Sequence, residues 1–259
     1  MGDVTAAAPP SPDKSSNLFM QIAVHPDGTI TRPFVPDAPP SATGLVLSRD
    51  VPLDTSPTSS RHRRRRQSSP FVLFSTGNVF YHASVRPWPR PCQPSSSGGN
   101  MALNAGVRAC RGLDLGPAAV RGLVLHQPYL GGVARTPSEE KSGDDAVLPL
   151  EANDKLWSLA LPAGADRDHE FSNPAKSMAA AAAALTGLPR CLVTGSDGDP
   201  LIDRQRELVA WLRGHGVEVV AKTDFAGSHA AELFVKETAD ELFAAVRAFV
   251  SCAGDVVHS

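Results

Sequence analysis

From residue 95 onward the chain alternates short apolar stretches with helical patterns, and no other feature restricts its fold as much. Residues 101–111, rich in alanine and leucine, read as a helix. Residues 122–126 read as a short apolar strand running into Gln127-Pro128-Tyr129. A helix follows over 149–161, with Leu156, Trp157 and Leu159 on its buried side, then an alanine-rich helix over 176–185. Residues 190–194 form a strand, 201–214 an amphipathic helix closed by glycine, 217–222 a strand, and 230–250 a helix in one or two pieces. Strands separated by helices cannot pair as hairpins, so the pattern predicts a parallel α/β sheet. In such sheets functional groups gather at the carboxyl ends of the strands.

The first ninety residues have another texture. Fifteen of the 23 prolines lie before position 95. Residues 1–17 read as a disordered leader, without the apolar core of a signal peptide. An apolar–polar alternation surrounds the turn Pro26-Asp27-Gly28 and predicts two short strands, 20–24 and 29–32. They open a segment over 18–54 that also holds a proline-broken connection and a further short strand near 48–53. Residues 55–94 form an aberrant basic and proline-rich stretch. It contains the run Arg61-His62-Arg63-Arg64-Arg65-Arg66, a solvated loop or a segment foreign to the fold rather than a nucleic-acid patch, since no aromatic residues are interleaved. Residues 71–84 are apolar and aromatic, and read as a buried loop leading into a short helix near 79–83. Four prolines between 85 and 94 exclude a central strand there.

Composition narrows the function. A net charge of −2 calls for no nucleic-acid or membrane partner, and no stretch approaches the length of an apolar membrane span. The four cysteines (Cys92, Cys110, Cys191, Cys252) have no metal-ligand spacing and imply no disulfide framework. The expectation is a soluble cytoplasmic protein without metal or cofactor, with the basic run leaving a nuclear location open.

Three residues carry candidate chemistry. Ser96 lies in Ser95-Ser96-Ser97-Gly98-Gly99-Asn100, which opens directly into the 101–111 helix. Small residues at a strand-to-helix junction allow a sharp turn that exposes one hydroxyl at a helix N-terminus, as a serine nucleophile requires; the same cluster also suits a plain loop or helix cap. Asp199 follows the 190–194 strand and His229 follows the 217–222 strand. Asp197 and Asp203 compete with Asp199 on spacing alone. The order Ser, Asp, His is the one an α/β-hydrolase uses. A neutral imidazole accepts the hydroxyl proton, and a carboxylate fixes the tautomer and stabilises the imidazolium.

The sequence resembles the plant carboxylesterases of the hormone-sensitive-lipase group of α/β-hydrolases, which also contains the gibberellin receptor. The likeness lies in His25-Pro26-Asp27-Gly28-Thr29, residues 71–84, Ser95 to Asn100 and His126-Gln127-Pro128-Tyr129. It continues in Asp168-His169, Asn173-Pro174, Asp199-Pro200-Leu201-Ile202-Asp203 and Gly227-Ser228-His229. It implies an α/β-hydrolase core over 95–250, with cap helices near 146–185 and a tail after 250. It also implies cleavage of a small carboxylic ester with Ser96 as nucleophile, Asp199 orienting the base His229, and the Ser97 N–H in the oxyanion hole. In the gibberellin receptor the catalytic histidine is replaced, so His229 points to the enzymatic branch. Within 55–94, outside the family-like stretch 71–84, the resemblance lapses. Pro94 stands where the family has the first elbow glycine, and no His-Gly-Gly-Gly oxyanion loop occurs anywhere in the chain. The family's central strands in that interval have no counterpart, so the expected fold is an incomplete one. The alternative function is a catalytically inactive α/β-hydrolase remnant or a small-molecule-binding protein.

Overall fold

A computed structural model of the chain describes residues 17, 19–27, 29–31, 70–76, 79–82, 96–112, 119–177 and 185–252, with backbone alone at 70–82, 119 and 252. Two strands of two residues, β1 (Ala23–Val24) and β2 (Ile30–Thr31), form an antiparallel pair around the predicted turn. Asp27 closes that turn by accepting from the N–H and hydroxyl of Thr29. The leader, the strand near 48–53, the arginine run, the prolines of 85–94 and residues 178–184 of the alanine-rich helix lie outside the described residues.

The main sheet has five strands. They are β3 (Pro70–Thr76), β4 (Val79–His82), β5 (Ala119–His126), β6 (Cys191–Ser196) and β7 (Val219–Phe225), in the order β4-β3-β5-β6-β7. All neighbours are parallel except the β3–β4 hairpin at one edge. This corrects the reading of 71–84 as a loop and short helix. Phe71, Val72, Phe74, Val79, Phe80 and Tyr81 are β-formers, and two residues between the runs is hairpin spacing. A helix of four or five residues would have little stability of its own. The correction matters for the centre of the sheet, because β3 runs parallel to β5 with Leu73 opposite Leu123. The place beside β5 is therefore filled by β3, from the one family-like stretch of 55–94.

Helices cover both faces because the sheet strands alternate. Leu123, Leu125, Cys191 and Val193 face α1 (Ser97–Cys110) and α5 (Ile202–Gly214), packing on Leu103, Val107, Leu208 and Leu212. Val124 and Leu192 point the other way, against Phe249 and Val246 of α6 (Lys236–Cys252). Burying one such aliphatic side chain contributes about 1.5–3 kcal/mol. Over the carboxyl rim lie α2 (Pro137–Glu140), α3 (Leu150–Ala160) and α4 (Pro174–Ser177). Trp157 of α3 stacks on Tyr129 at 4.7 Å, beside Leu148 and Leu201. A capping box closes the start of α2, where Thr136 and Glu139 satisfy each other's backbone N–H groups. Buried Arg204 of α5 pairs with Glu139 at 3.0 Å and fixes α2 to the sheet's helical layer.

Candidate active site

Ser96 stands immediately ahead of α1 with φ 56° and ψ −110°, a backbone conformation that side-chain-bearing residues rarely adopt. Three hydrogen bonds hold it there: its N–H donates to the His126 carbonyl at 3.1 Å, and its carbonyl accepts from the N–H groups of Asn100 and Tyr129. The elbow is tight because α1 approaches the end of β5 closely. A Cβ on Gly99 would lie 3.0 Å from Pro128 Cα and 3.1 Å from the His126 carbonyl oxygen. Asn100 then ties the first turn of α1 to the rim by donating to the carbonyls of Tyr129 and Phe171. Ser97 is the first residue of α1 and exposed. Its N–H is among the first-turn donors that have no partner within a helix.

Asp199 and His229 meet directly. The first oxygen of Asp199, Oδ1, accepts from His229 Nδ1 at 2.9 Å and from the Leu201 N–H at 2.9 Å; Oδ2 accepts from Gln205 Nε2 at 2.7 Å. Since a carboxylate only accepts, Nδ1 carries a proton, and in the neutral ring Nε2 keeps its lone pair. Both side chains are almost wholly buried. Burial disfavours a charged His229 ring, but the Asp199 carboxylate, with smaller pulls from Glu232 and Asp145, outweighs it and holds the imidazole above its ordinary range. Geometry also decides between the three acids that spacing left open. Asp199 is the one on the imidazole; Asp203 instead accepts from the Ser138 N–H.

A buried glutamine that sequence reasoning did not single out joins the end of β5 to the histidine loop. Gln127 follows His126, the residue whose carbonyl holds Ser96. Its Oε1 accepts from the Ala230 N–H at 2.8 Å, next to His229, and its Nε2 donates to Ser196 Oγ at 3.0 Å. One fully buried side chain thus joins the ends of β5 and β6 to the histidine loop, at a backbone φ of 40°. Among the described residues, the Ser96 hydroxyl forms no hydrogen bond to His229. Such bonds are often long in a free site and tighten around a substrate. Gln205 was missed as well; Gly195 makes room for it, since a Cβ there would overlap Gln205 Oε1. Neither glutamine carries a signal of its own, because each matters only through what lies opposite it.

Among the described residues no cluster of ligating side chains suits a metal ion, and no helix is long and apolar enough to cross a membrane. Cys110 and Cys191 are free thiols, and burial pushes Cys191 up to about 12.

A parallel sheet with helices on both faces and a strained serine at a helix N-terminus defines a class, the α/β hydrolases. The chain belongs to this fold family, whose sequence profile matches residues 95–232. It is 44% identical over 160 residues to probable carboxylesterase 8 of Arabidopsis thaliana, covering 61% of this chain and 48% of that protein. It is 41% identical over 157 residues to a 3-O-acetylpapaveroxine carboxylesterase of Papaver somniferum, covering 60% and 50%. The chain therefore spans about half the length of the curated relatives it matches. Among solved structures, the esterase LipW of Mycobacterium marinum superposes with a TM-score of 0.51 at 24% identity, over 61% of this chain and 48% of that one, a likeness of fold.

Proposed function

We propose that the protein is a carboxylesterase-type serine hydrolase acting on small carboxylic esters. The observation that carries this reading is the buried Asp199–His229 pair at 2.9 Å, on the rim where Ser96 is held with positive φ. Ser96 Oγ attacks the ester carbonyl carbon while His229 Nε2 takes the hydroxyl proton. Asp199 keeps the ring oriented and stabilises the imidazolium. The tetrahedral oxyanion meets the Ser97 N–H at the N-terminus of α1. As the intermediate collapses, the carbon–oxygen ester bond breaks and the departing alcohol takes the proton from His229. Water, deprotonated by the same imidazole, then attacks the acyl-serine and releases the acid.

The absence of a His-Gly-Gly-Gly loop from the sequence favours the second reading, a binding protein without turnover. Losing one oxyanion donor typically lowers kcat by about 100- to 1000-fold, so slow turnover is the expected behaviour. Incubating the purified full chain with p-nitrophenyl acetate and butyrate decides between them. The esterase reading expects release of nitrophenol above a Ser96→Ala control. Equal rates, with saturable binding of the unhydrolysed nitrophenyl ester, would establish the binding protein instead.

A further inference from the structure

Gln205 stands in the first turns of α5 with no exposed surface, and its amide lies between two groups. Its Nε2 donates to Asp199 Oδ2 at 2.7 Å. Its Oε1 lies against Gly195 of β6, where the β6–β7 ladder shifts register, and a Cβ on that glycine would overlap it. Among the described residues this Oε1 has no hydrogen-bond partner. Burying an unserved carbonyl is costly, and a methionine of similar length would fill the space without that cost. What the amide adds over such a side chain is its N–H toward Asp199.

The other two donors to Asp199, the Leu201 N–H and His229 Nδ1, both meet Oδ1. With Oδ1 alone held, the carboxylate is free to turn about its last side-chain bond, where rotation is soft. We propose, resting on the roles given to Asp199 and His229 above, that Gln205 is a positioning residue for the pair. By donating to Oδ2 it stops that rotation and keeps Oδ1 aimed at His229 Nδ1, and Gly195 leaves the slot in which its amide fits. A carboxylic acid in the same place serves only while it carries a proton, because two carboxylates at hydrogen-bond separation repel too strongly for both to ionise. Apart from His229, the charged groups on the elements packed against α5 are engaged elsewhere or exposed. Arg204 pairs with Glu139 of α2, Lys176 of α4 pairs with Asp168, and Lys222 and Asp224 of β7 lie at the surface.

The test follows the downfield NMR resonance of the His229 Nδ1–H in the full chain, which needs no ester turnover. In Gln205→Met, which keeps length and loses the donor, that resonance moves or broadens by exchange with water. On p-nitrophenyl butyrate kcat falls about tenfold, with KM within about twofold of the parent. Gln205→Glu matches the parent near about pH 5, where the introduced carboxyl keeps its proton and donates to Oδ2, and departs from it as pH rises. Its kcat relative to the parent at each pH falls in the same way, a dependence that packing alone would not give. Gly195→Ala, which displaces the amide, reproduces the Gln205→Met resonance, and combining the two changes it no further. An unmoved resonance in whichever of Gln205→Met and Gly195→Ala melts cooperatively overturns the proposal, as does a Gln205→Glu variant that tracks the parent at every pH. Resonance changes in a chain that hydrolyses no ester overturn the esterase reading alone, while turnover with an unmoved resonance overturns this proposal alone.

Discussion

The His229–Asp199 and His126–Glu232 pairs share one rim, comparable burial and nearly the same nitrogen–oxygen separation, 2.9 against 3.1 Å. They differ in how the carboxylate is held. Asp199 accepts from Leu201, Gln205 and His229, so its position and charge are fixed from three directions. Glu232 has one imidazole beside it and no hydrogen bond that meets geometry. A carboxylate held by several donors can orient a base. One with a single imidazole neighbour and no hydrogen bond has no such hold on its orientation. The comparison separates orientation from electrostatics within a single site.

The largest effect belongs to the well-held acid. Asp199→Asn presents an amide to His229 and favours the wrong tautomer, so kcat on a nitrophenyl ester should drop by about 10⁴-fold with the fold intact by circular dichroism. Next comes the residue that links the two pairs. Gln127→Ala strips the Ser196 hydroxyl and the Ala230 N–H of buried partners, and each such loss costs about 1–3 kcal/mol. A urea midpoint close to that of the parent would show that Gln127 does not clamp the rim.

Smallest is the dependence of stability on pH, where the two pairs act with opposite sign. His229 is raised above 6.5 in the fold, so its proton stabilises the folded chain fully below that pH. That contribution is lost as pH climbs through the folded titration. Glu232 is lowered from 4.5, so its contribution is present above that pH and lost as pH falls through its folded titration. Denaturation midpoints should therefore decline above about pH 6.5 and again below about 4.5. Glu232→Gln should remove its own share of the acid-side decline and shrink the alkaline one.

Much of the scaffold was legible from short-range pattern. The helices now bounded at Ser97–Cys110, Leu150–Ala160 and Ile202–Gly214 carry their own apolar stripes, and the strands of β5, β6 and β7 are apolar runs bounded by turn residues. The positions of Ser96, Asp199 and His229 follow from the same reading, since each stands just beyond a strand or before a helix. The 70–82 region misled because a run of aromatic and β-branched residues suits a buried loop or a strand equally until a neighbour such as β5 offers a ladder. Gln127, Gln205 and Glu232 had no legible role for a different reason: a buried polar side chain is defined by its partner, which lies 6 to 103 residues away along the chain for the two glutamines.

The amino-acid order alone settled the alternation of strands and helices, and with it a parallel sheet whose carboxyl ends hold the candidate chemistry. Hydrophobic period and turn residues are local properties, and they act before any distant contact forms. Tertiary packing decided which aspartate meets His229, how Gln127 joins the end of β5 to the histidine loop, and that a second buried acid, Glu232, lies against His126. Those outcomes depend on strand order and register, which bring together groups that no local spacing relates.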